Sequence, residues 1–220
     1  MILSDQLWSA RQAPIQRELF ELALVAGKLL AEPIKEAQIH LHGSFWATGS
    51  GHGTDRAIVA GLLGLAVDDA KIPHSFELAD EAGMKFSFDH VELVDAHPNT
   101  VKLNLTGVNG SVLEVVAASI GGGRIRVCEI DGLPANFEGD YPTLIVRNID
   151  QPGHVMEVTA MLGHKGVNIA TLQLFRQSRG GQAAMVIECD QEVPSESIKW
   201  LSRQEGIVKV TYLSQAQRED

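Results

Sequence analysis

The residue types that can move protons or hold a small anion crowd into one stretch, Gly43-Ser44-Phe45-Trp46-Ala47-Thr48-Gly49-Ser50-Gly51-His52-Gly53-Thr54-Asp55. Four glycines in these thirteen residues let a backbone approach a ligand closely. Ser44, Thr48 and Thr54 add hydroxyl donors, and Thr54-Asp55 opens a helix whose first N–H groups suit a carboxylate or phosphate. His52, between two glycines, has the access and freedom that a proton-transfer group needs. No Gly-Lys-Ser/Thr closes the loop, so it is not a nucleotide P-loop, and it does not fit the dinucleotide fingerprint. A second polar segment is Asp95-Ala96-His97-Pro98-Asn99-Thr100, where Pro98 forces extended backbone at His97. Its polar groups either line a pocket or close an Asx-type turn. In a third, Ser119-Ile120-Gly121-Gly122-Gly123, the glycines serve close approach to a ligand or a bulge between strands.

The elements around these segments follow from periodicity. Leu19, Leu22, Ala23, Ala26, Leu29 and Leu30 form a helical stripe between about Ile15 and Ala31, ended at Glu32-Pro33. Ile39-His40-Leu41-His42 alternates like a short strand and delivers Ser44. Lys85–Val94, Thr100–Thr106, Val112–Ser119 and Arg124–Ile130 read as strands, the middle two joined by a hairpin at Asn109-Gly110. Residues 131–140 are polar, contain Gly and Pro, and read as a linker between a first domain, 1–130, and a second, 141–213, with a tail at 214–220. The second domain runs strand 143–148, helix 153–165, strand 167–176, strand 183–189, helix 195–203 and strand 207–212, a ferredoxin-like βαββαβ unit. The fold class is therefore α/β of the α+β type: an N-terminal mixed domain followed by a ferredoxin-like one.

Charge and composition narrow the function. Eighteen Lys and Arg against 28 Asp and Glu leave a net charge of −10, which argues against binding to nucleic acid or to an anionic membrane surface. No apolar run approaches a membrane span, and no signal core opens the chain, so the expected location is the cytoplasm. Cys128 and Cys189, 61 residues apart, are too few for a disulfide scaffold, a zinc site or an iron–sulfur cluster held by this chain alone. No metal ligands are assigned on this chain.

Two resemblances add to this reading. Residues 141–213 resemble an ACT domain, a module that binds amino acids, through the element order, Asn148-Ile149-Asp150-Gln151-Pro152-Gly153 and Gly166-Val167-Asn168-Ile169. The resemblance implies an effector site at Asn148, Asp150, Gln151, Pro152 and Gly153; the residues alone equally describe a well-made strand-to-helix turn. It also implies a homodimer through this domain, since its sheet leaves an edge strand free. Taken in order, GSF-x2-T-x2-GHGTD at 43–55, HPNT at 97–100, SIGGG at 119–123 and the ACT-like domain resemble the β chain of bacterial iron–sulfur-dependent L-serine dehydratase.

That second resemblance implies a two-chain enzyme that converts L-serine to pyruvate and ammonia. Its four-iron, four-sulfur cluster is ligated by cysteines of a partner α chain, and an iron with an open position serves as Lewis acid on the β-hydroxyl. It makes His52 the catalytic acid/base and Ser44, Thr48, Asp55, His97 and Asn99 the substrate-binding residues. The sequence departs from the family at one place. The Pro-Ser-Ser-Ser-His-Thr-type loop that opens the first helix is replaced by Arg11-Gln12-Ala13-Pro14-Ile15-Gln16-Arg17, in which only Pro14 matches. Either the partner supplies those donors, or the chain is a divergent or inactive relative, and a structural or assembly partner rests on this missing loop alone. The alternative reading of the whole chain is a non-catalytic amino-acid-binding regulatory protein.

Overall fold

A computed structural model describes residues 14–48 and 53–215, which divide into two compact units at Asp131/Gly132. The class is mixed α and β, as expected, with a sheet and helices in each unit.

The first unit opens with helix α1, Pro14–Leu30, whose stripe of Leu19, Leu22, Ala23, Ala26 and Leu29 is buried. Strand β1, Ile34–Leu41, follows, longer than its short alternating core suggested. Helix α2, Ser44–Thr48, is one turn, and α3, Thr54–Leu62, begins after Gly53 in a left-handed conformation, φ +72°. A 3₁₀ turn, Ile72–His74, leads into α4, Ser75–Glu81. Strands β2, Lys85–His90, β3, Thr100–Gly107, β4, Val112–Gly121, and β5, Arg124–Ile130, complete the unit. Within it the sheet order is β2-β1-β3-β4-β5. Only β1 and β2 are parallel; the other pairs are antiparallel.

Alternation places Ala37, Ile39 and Leu41 of β1 in register with Leu105, Leu103 and Val101 of β3, and these with Leu113, Val115 and Ala117 of β4. All are buried, and α1 packs across β3, β4 and β5 on this face. Helix α3 packs on α1, close enough at Gly61 that a Cβ there would stand 2.3 Å from the Phe20 carbonyl oxygen. Because β1 and β2 run parallel, both carboxyl ends emerge together, with Leu41 beside His90. Ligands of α/β sheets commonly bind outside such ends.

Three expectations need correction here. The strand expected over Lys85–Val94 stops at His90: Val91 N–H still donates to the Leu41 carbonyl of β1, but the Val91 carbonyl and Leu93 N–H meet His42 Nδ1 instead of a strand partner. Ser44–Thr48, taken as loop, is helical. The linker reading of 131–140 is overturned in part: β6, Leu133–Phe137, lies inside it, with Leu133, Ala135 and Phe137 buried at a spacing of two. Pro134 and Asn136 sit on its exposed side, where a missing N–H and a polar group cost little.

The second unit, from Gly132 onward, continues with β7, Thr143–Ile149, α5, His154–His164, β8, Ile169–Arg176, β9, Gln182–Cys189, α6, Ser195–Leu201, and β10, Ile207–Leu213. The βαββαβ order and the antiparallel sheet β10-β7-β9-β8 are those of a ferredoxin-like unit. Its core joins Leu144 and Val146 of β7, Val158 and Leu162 of α5, Met185 and Ile187 of β9 and Leu201 of α6. Among the described residues no helix is long and apolar enough to cross a membrane.

Candidate functional site

The chain reverses at the end of β1, and Gly43 makes that possible. Its φ of +57° suits glycine, and a Cβ there would lie 2.5 Å from the Pro98 carbonyl oxygen. The close approach fixes two loops against each other. Ser44 N–H donates to the Pro98 carbonyl at 3.0 Å, and His42 N–H donates to that of Thr100, also at 3.0 Å. The Ser44 hydroxyl donates to Asn99 Oδ1 and lies 3.4 Å from the Pro98 carbonyl. Asn99 N–H donates to His97 Nδ1 at 3.1 Å, and Thr100 Oγ1 donates to the His97 carbonyl at 2.7 Å. Three residues singled out in the sequence, Ser44, His97 and Asn99, thus share one corner of the sheet.

The other predicted residues fall differently. Thr48 closes α2. Asp55, in the first turn of α3, accepts from the N–H of the next residue, Arg56, at 2.8 Å. His52 lies outside the described residues, as do residues 11–13 of the segment that departs from the expected loop.

The glycine turn reaches the same corner. Ser119 N–H donates to the Asn99 carbonyl at 2.9 Å, and Gly121, Gly122 and Gly123 all take left-handed φ values, +81°, +69° and +78°. A buried carboxylate, Glu18 of α1, closes this turn: it accepts from the Ser119 hydroxyl and from Gly123 N–H, the latter at 2.7 Å. Glu18 is 3% exposed. A carboxyl group is tolerated at such depth when its oxygens are hydrogen-bonded, as both are here.

Around the parallel strand ends sits a further group that sequence reasoning did not single out. His42 Nδ1 lies 3.2 Å from the Val91 carbonyl and 3.3 Å from Leu93 N–H, so either tautomer finds a partner. His90 Nε2 meets the Glu92 carboxylate at 2.9 Å, and its ring stacks on Trp46 with centroids 5.4 Å apart. The arrangement offers hydroxyl, amide, imidazole and carboxylate groups on a rigid sheet end. It suits binding and proton transfer on a small polar molecule.

A family model described as serine dehydratase beta chain matches residues 17–129, the stretch that holds Glu18, Ser44, His97, Asn99 and Ser119. The chain belongs to that family. It is 36% identical over 180 residues to the L-serine dehydratase beta chain of Peptoniphilus asaccharolyticus, an alignment that covers 81% of each chain. To the probable L-serine dehydratase beta chain of Bacillus subtilis it is 32% identical over 190 residues, 86% of each chain. The D-3-phosphoglycerate dehydrogenase of Bacillus subtilis is 26% identical over 205 residues, 91% of this chain and 38% of that enzyme.

In this family member the expected effector residues lie in the second unit, between β7 and α5. Asn148 is buried; its Nδ2 donates to the Ile149 carbonyl at 2.7 Å, and its Oδ1 has no hydrogen-bond partner. Asp150 turns to the β8–β9 connection, accepting from Gly180 N–H at 3.0 Å with Arg176 at 3.3 Å. Gln151, Pro152 and Gly153 are exposed, and Gly153 takes φ +109° as α5 begins. Pro152 and Gly153 also border a groove of about 830 Å³ lined by α5 and α6.

The cysteines do not suit a cluster. Cys128 is on β5 of the first unit and Cys189 on β9 of the second. Burial pushes the Cys128 thiol up, and burial with the Asp190 charge pushes Cys189 up to about 11. Among the described residues no group of three or more His, Cys, Asp or Glu is placed to hold a metal ion.

Proposed function

We propose that this chain is the cytoplasmic β subunit of an iron–sulfur L-serine dehydratase, acting with an α chain that holds the four-iron, four-sulfur cluster. The observation that carries this reading is the corner where Ser44, His97 and Asn99 meet, in a chain of the serine dehydratase beta chain family. The reaction removes the α-proton of L-serine and expels the β-hydroxyl as water. The aminoacrylate that remains hydrolyses to pyruvate and ammonia. This chain's part is to bind the amino acid through Ser44 and Asn99, assisted by Thr48, Asp55 and His97, and to move the α-proton through His52. The described residues do not fit a cluster, so the reading leaves it to the partner.

The test is co-expression with an α chain under anaerobic conditions, followed by a pyruvate assay with L-serine. The pair is expected to form pyruvate, and the isolated chain to be colourless and inert. A brown isolated chain containing iron and sulfide would overturn the division of labour. A pair with its cluster intact but no turnover would overturn the enzyme reading.

The second unit we read as an ACT-type module, with L-serine or another amino acid bound near Asn148 and Gly153. The unpartnered, buried Asn148 Oδ1 supports this, as does the groove beside Pro152. A purely regulatory, non-catalytic protein is the second reading. The alignment with the D-3-phosphoglycerate dehydrogenase, which takes in 91% of this chain and only 38% of that enzyme, is what keeps it as an alternative.

A further inference from the structure

We infer that Glu18 is a positioning residue of the amino-acid site, acting through Ser119 and Asn99 on Ser44. The inference rests on the proposed dehydratase reading and extends it to a residue outside the recognised motifs. Glu18 is on the buried side of α1, in line with Leu22 and Val25 at helical spacing, where a carboxylate is out of place unless it has work to do. Its two oxygens take the two ends of the glycine turn: Oε2 accepts from the Ser119 hydroxyl, and Oε1 accepts from Gly123 N–H at 2.7 Å.

The turn between those ends is three glycines in left-handed conformation, and a Cβ built on any of them meets nothing within 4 Å. Side-chain packing therefore adds little to what the hairpin pairing of β4 and β5 supplies. Fixing each backbone residue costs about 1–2 kcal/mol of entropy, and glycine loses the most. The β4–β5 ladder closes the hairpin by pairing Gly121 with Arg124, and the carboxylate adds a tether from α1 to both sides of the turn.

The clamp reaches the site in two steps. Ser119, 1% exposed, donates its N–H to the Asn99 carbonyl at 2.9 Å, and Asn99 Oδ1 accepts from the Ser44 hydroxyl. Every link is a hydrogen bond between residues distant in sequence. The chain of contacts joins α1, the end of β4, the start of β3 and the end of β1. Losing Glu18 removes the side-chain tether of Ser119 and leaves the strand end to its ladder bonds alone, which loosens the backbone that sets the angle of Asn99. A merely structural carboxylate would instead affect only the stability of α1 on the sheet.

The experiment has two arms. In the isolated chain, amide hydrogen exchange is followed in peptides spanning residues 97–100 and 119–123 for the wild type, Glu18→Ala, Glu18→Gln and Ser119→Ala. In the pair with the α chain, KM and kcat for L-serine are measured for the same variants. Glu18→Ala is expected to speed exchange in both peptides about tenfold or more and to raise KM about tenfold, with kcat changed less than threefold. Glu18→Gln keeps one acceptor oxygen and is expected to recover most of the KM. Ser119→Ala, which leaves the Gly123 contact, is expected to fall between and serves if Glu18→Ala does not fold. Unchanged exchange at 97–100 in these variants would overturn the coupling. Faster exchange with an unmoved KM would leave Glu18 structural and overturn the positioning role. A wild-type pair that forms no pyruvate would remove the dehydratase reading and the positioning role with it, while the exchange arm still reports whether the clamp exists.

Discussion

At the scale of single residues, Ser44 carries the most direct prediction. It is exposed, and its hydroxyl is aligned by Asn99 and not by core packing. Ser44→Ala is expected to lower kcat/KM of the reconstituted pair by about 10–100-fold, the scale of one lost positioned hydrogen bond to a charged or polar substrate group. Steady-state kinetics with L-serine would check this. A thermal scan should show little change, because the residue buries no apolar surface. The thiols supply a second test. With Cys189 at about 11, roughly one thiol in a thousand is ionised at pH 8, so labelling by a disulfide reagent should be slow in the folded chain and rapid after unfolding. Reaction of Cys189 within seconds at pH 7 in the folded chain would contradict its buried position. The residues of the corner were legible in the sequence because Ser, His and Asn stand out beside Gly and Pro. Glu18 was not, since one acidic residue on an otherwise apolar stripe gives no hint of its partners 101 and 105 residues away. The signal was there all the same: Glu18 precedes Leu22 by four and Val25 by seven, on the face that must be buried.

At the scale of elements, the strands and long helices could be read because their apolar residues repeat at two or at three to four. The elements that were missed are short or start from ambiguous sequence. Helix α2 is a single turn of SFWAT whose helical state depends on the Gly43–Pro98 approach, a tertiary contact. In β6 the alternation of Leu133, Ala135 and Phe137 is masked by Pro134, which normally signals a loop. The Asn109-Gly110 hairpin was legible, but its clamp was not. Glu32 accepts from Asn109 N–H at 2.9 Å and Ser111 N–H at 3.0 Å. Hydrogen bonds, that of the Ser111 side chain foremost, hold its carboxyl below the ordinary value of 4.5 against the opposing pull of desolvation. A carboxyl lowered on folding contributes stability that is complete above 4.5 and disappears as pH falls through the folded value. The stability difference between wild type and Glu32→Gln should accordingly be present at pH 7 and vanish in acid, as denaturant titrations at the two pH values would show. Helix packing gives the larger effect. A Cβ at Gly61 would stand 2.9 Å from that of Ala23 as well as against the Phe20 carbonyl, so Gly61→Ala is expected to destabilise the first unit by about 1–3 kcal/mol. A denaturation midpoint equal to that of the wild type would show that α1 and α3 are looser than described.

At the scale of the whole molecule, the open question with a physical answer in the structure is what the chain does with its sheet edges. In the second unit the edges are β10 and β8. Strand β10 carries Lys209 in its interior, a charge that discourages pairing with another strand. Strand β8, IATLQLFR, has eight residues, no proline and no charge before its last position. Leu172 and Leu174 on it are 38% and 52% exposed, although they stand in register with Ile187 and Met185 of the core. Strand β6 touches β8, with Gln173 Nε2 donating to the Asn136 carbonyl at 2.6 Å, but no strand pairs with this edge among the described residues, and an apolar margin of this kind favours a second strand beside it. The occupant we propose is β8 of a second copy, antiparallel, which would extend the sheet and cover both leucines. A chain of 23.8 kDa should then scatter light as a species of about 48 kDa at micromolar concentration. Leu174→Lys places a charge in the middle of that margin and should return the mass to that of one chain without unfolding it, because the residue is half exposed already. A wild-type chain that stays monomeric at high concentration would end the pairing idea. A Leu174→Lys variant that remains a dimer would move the contact away from β8.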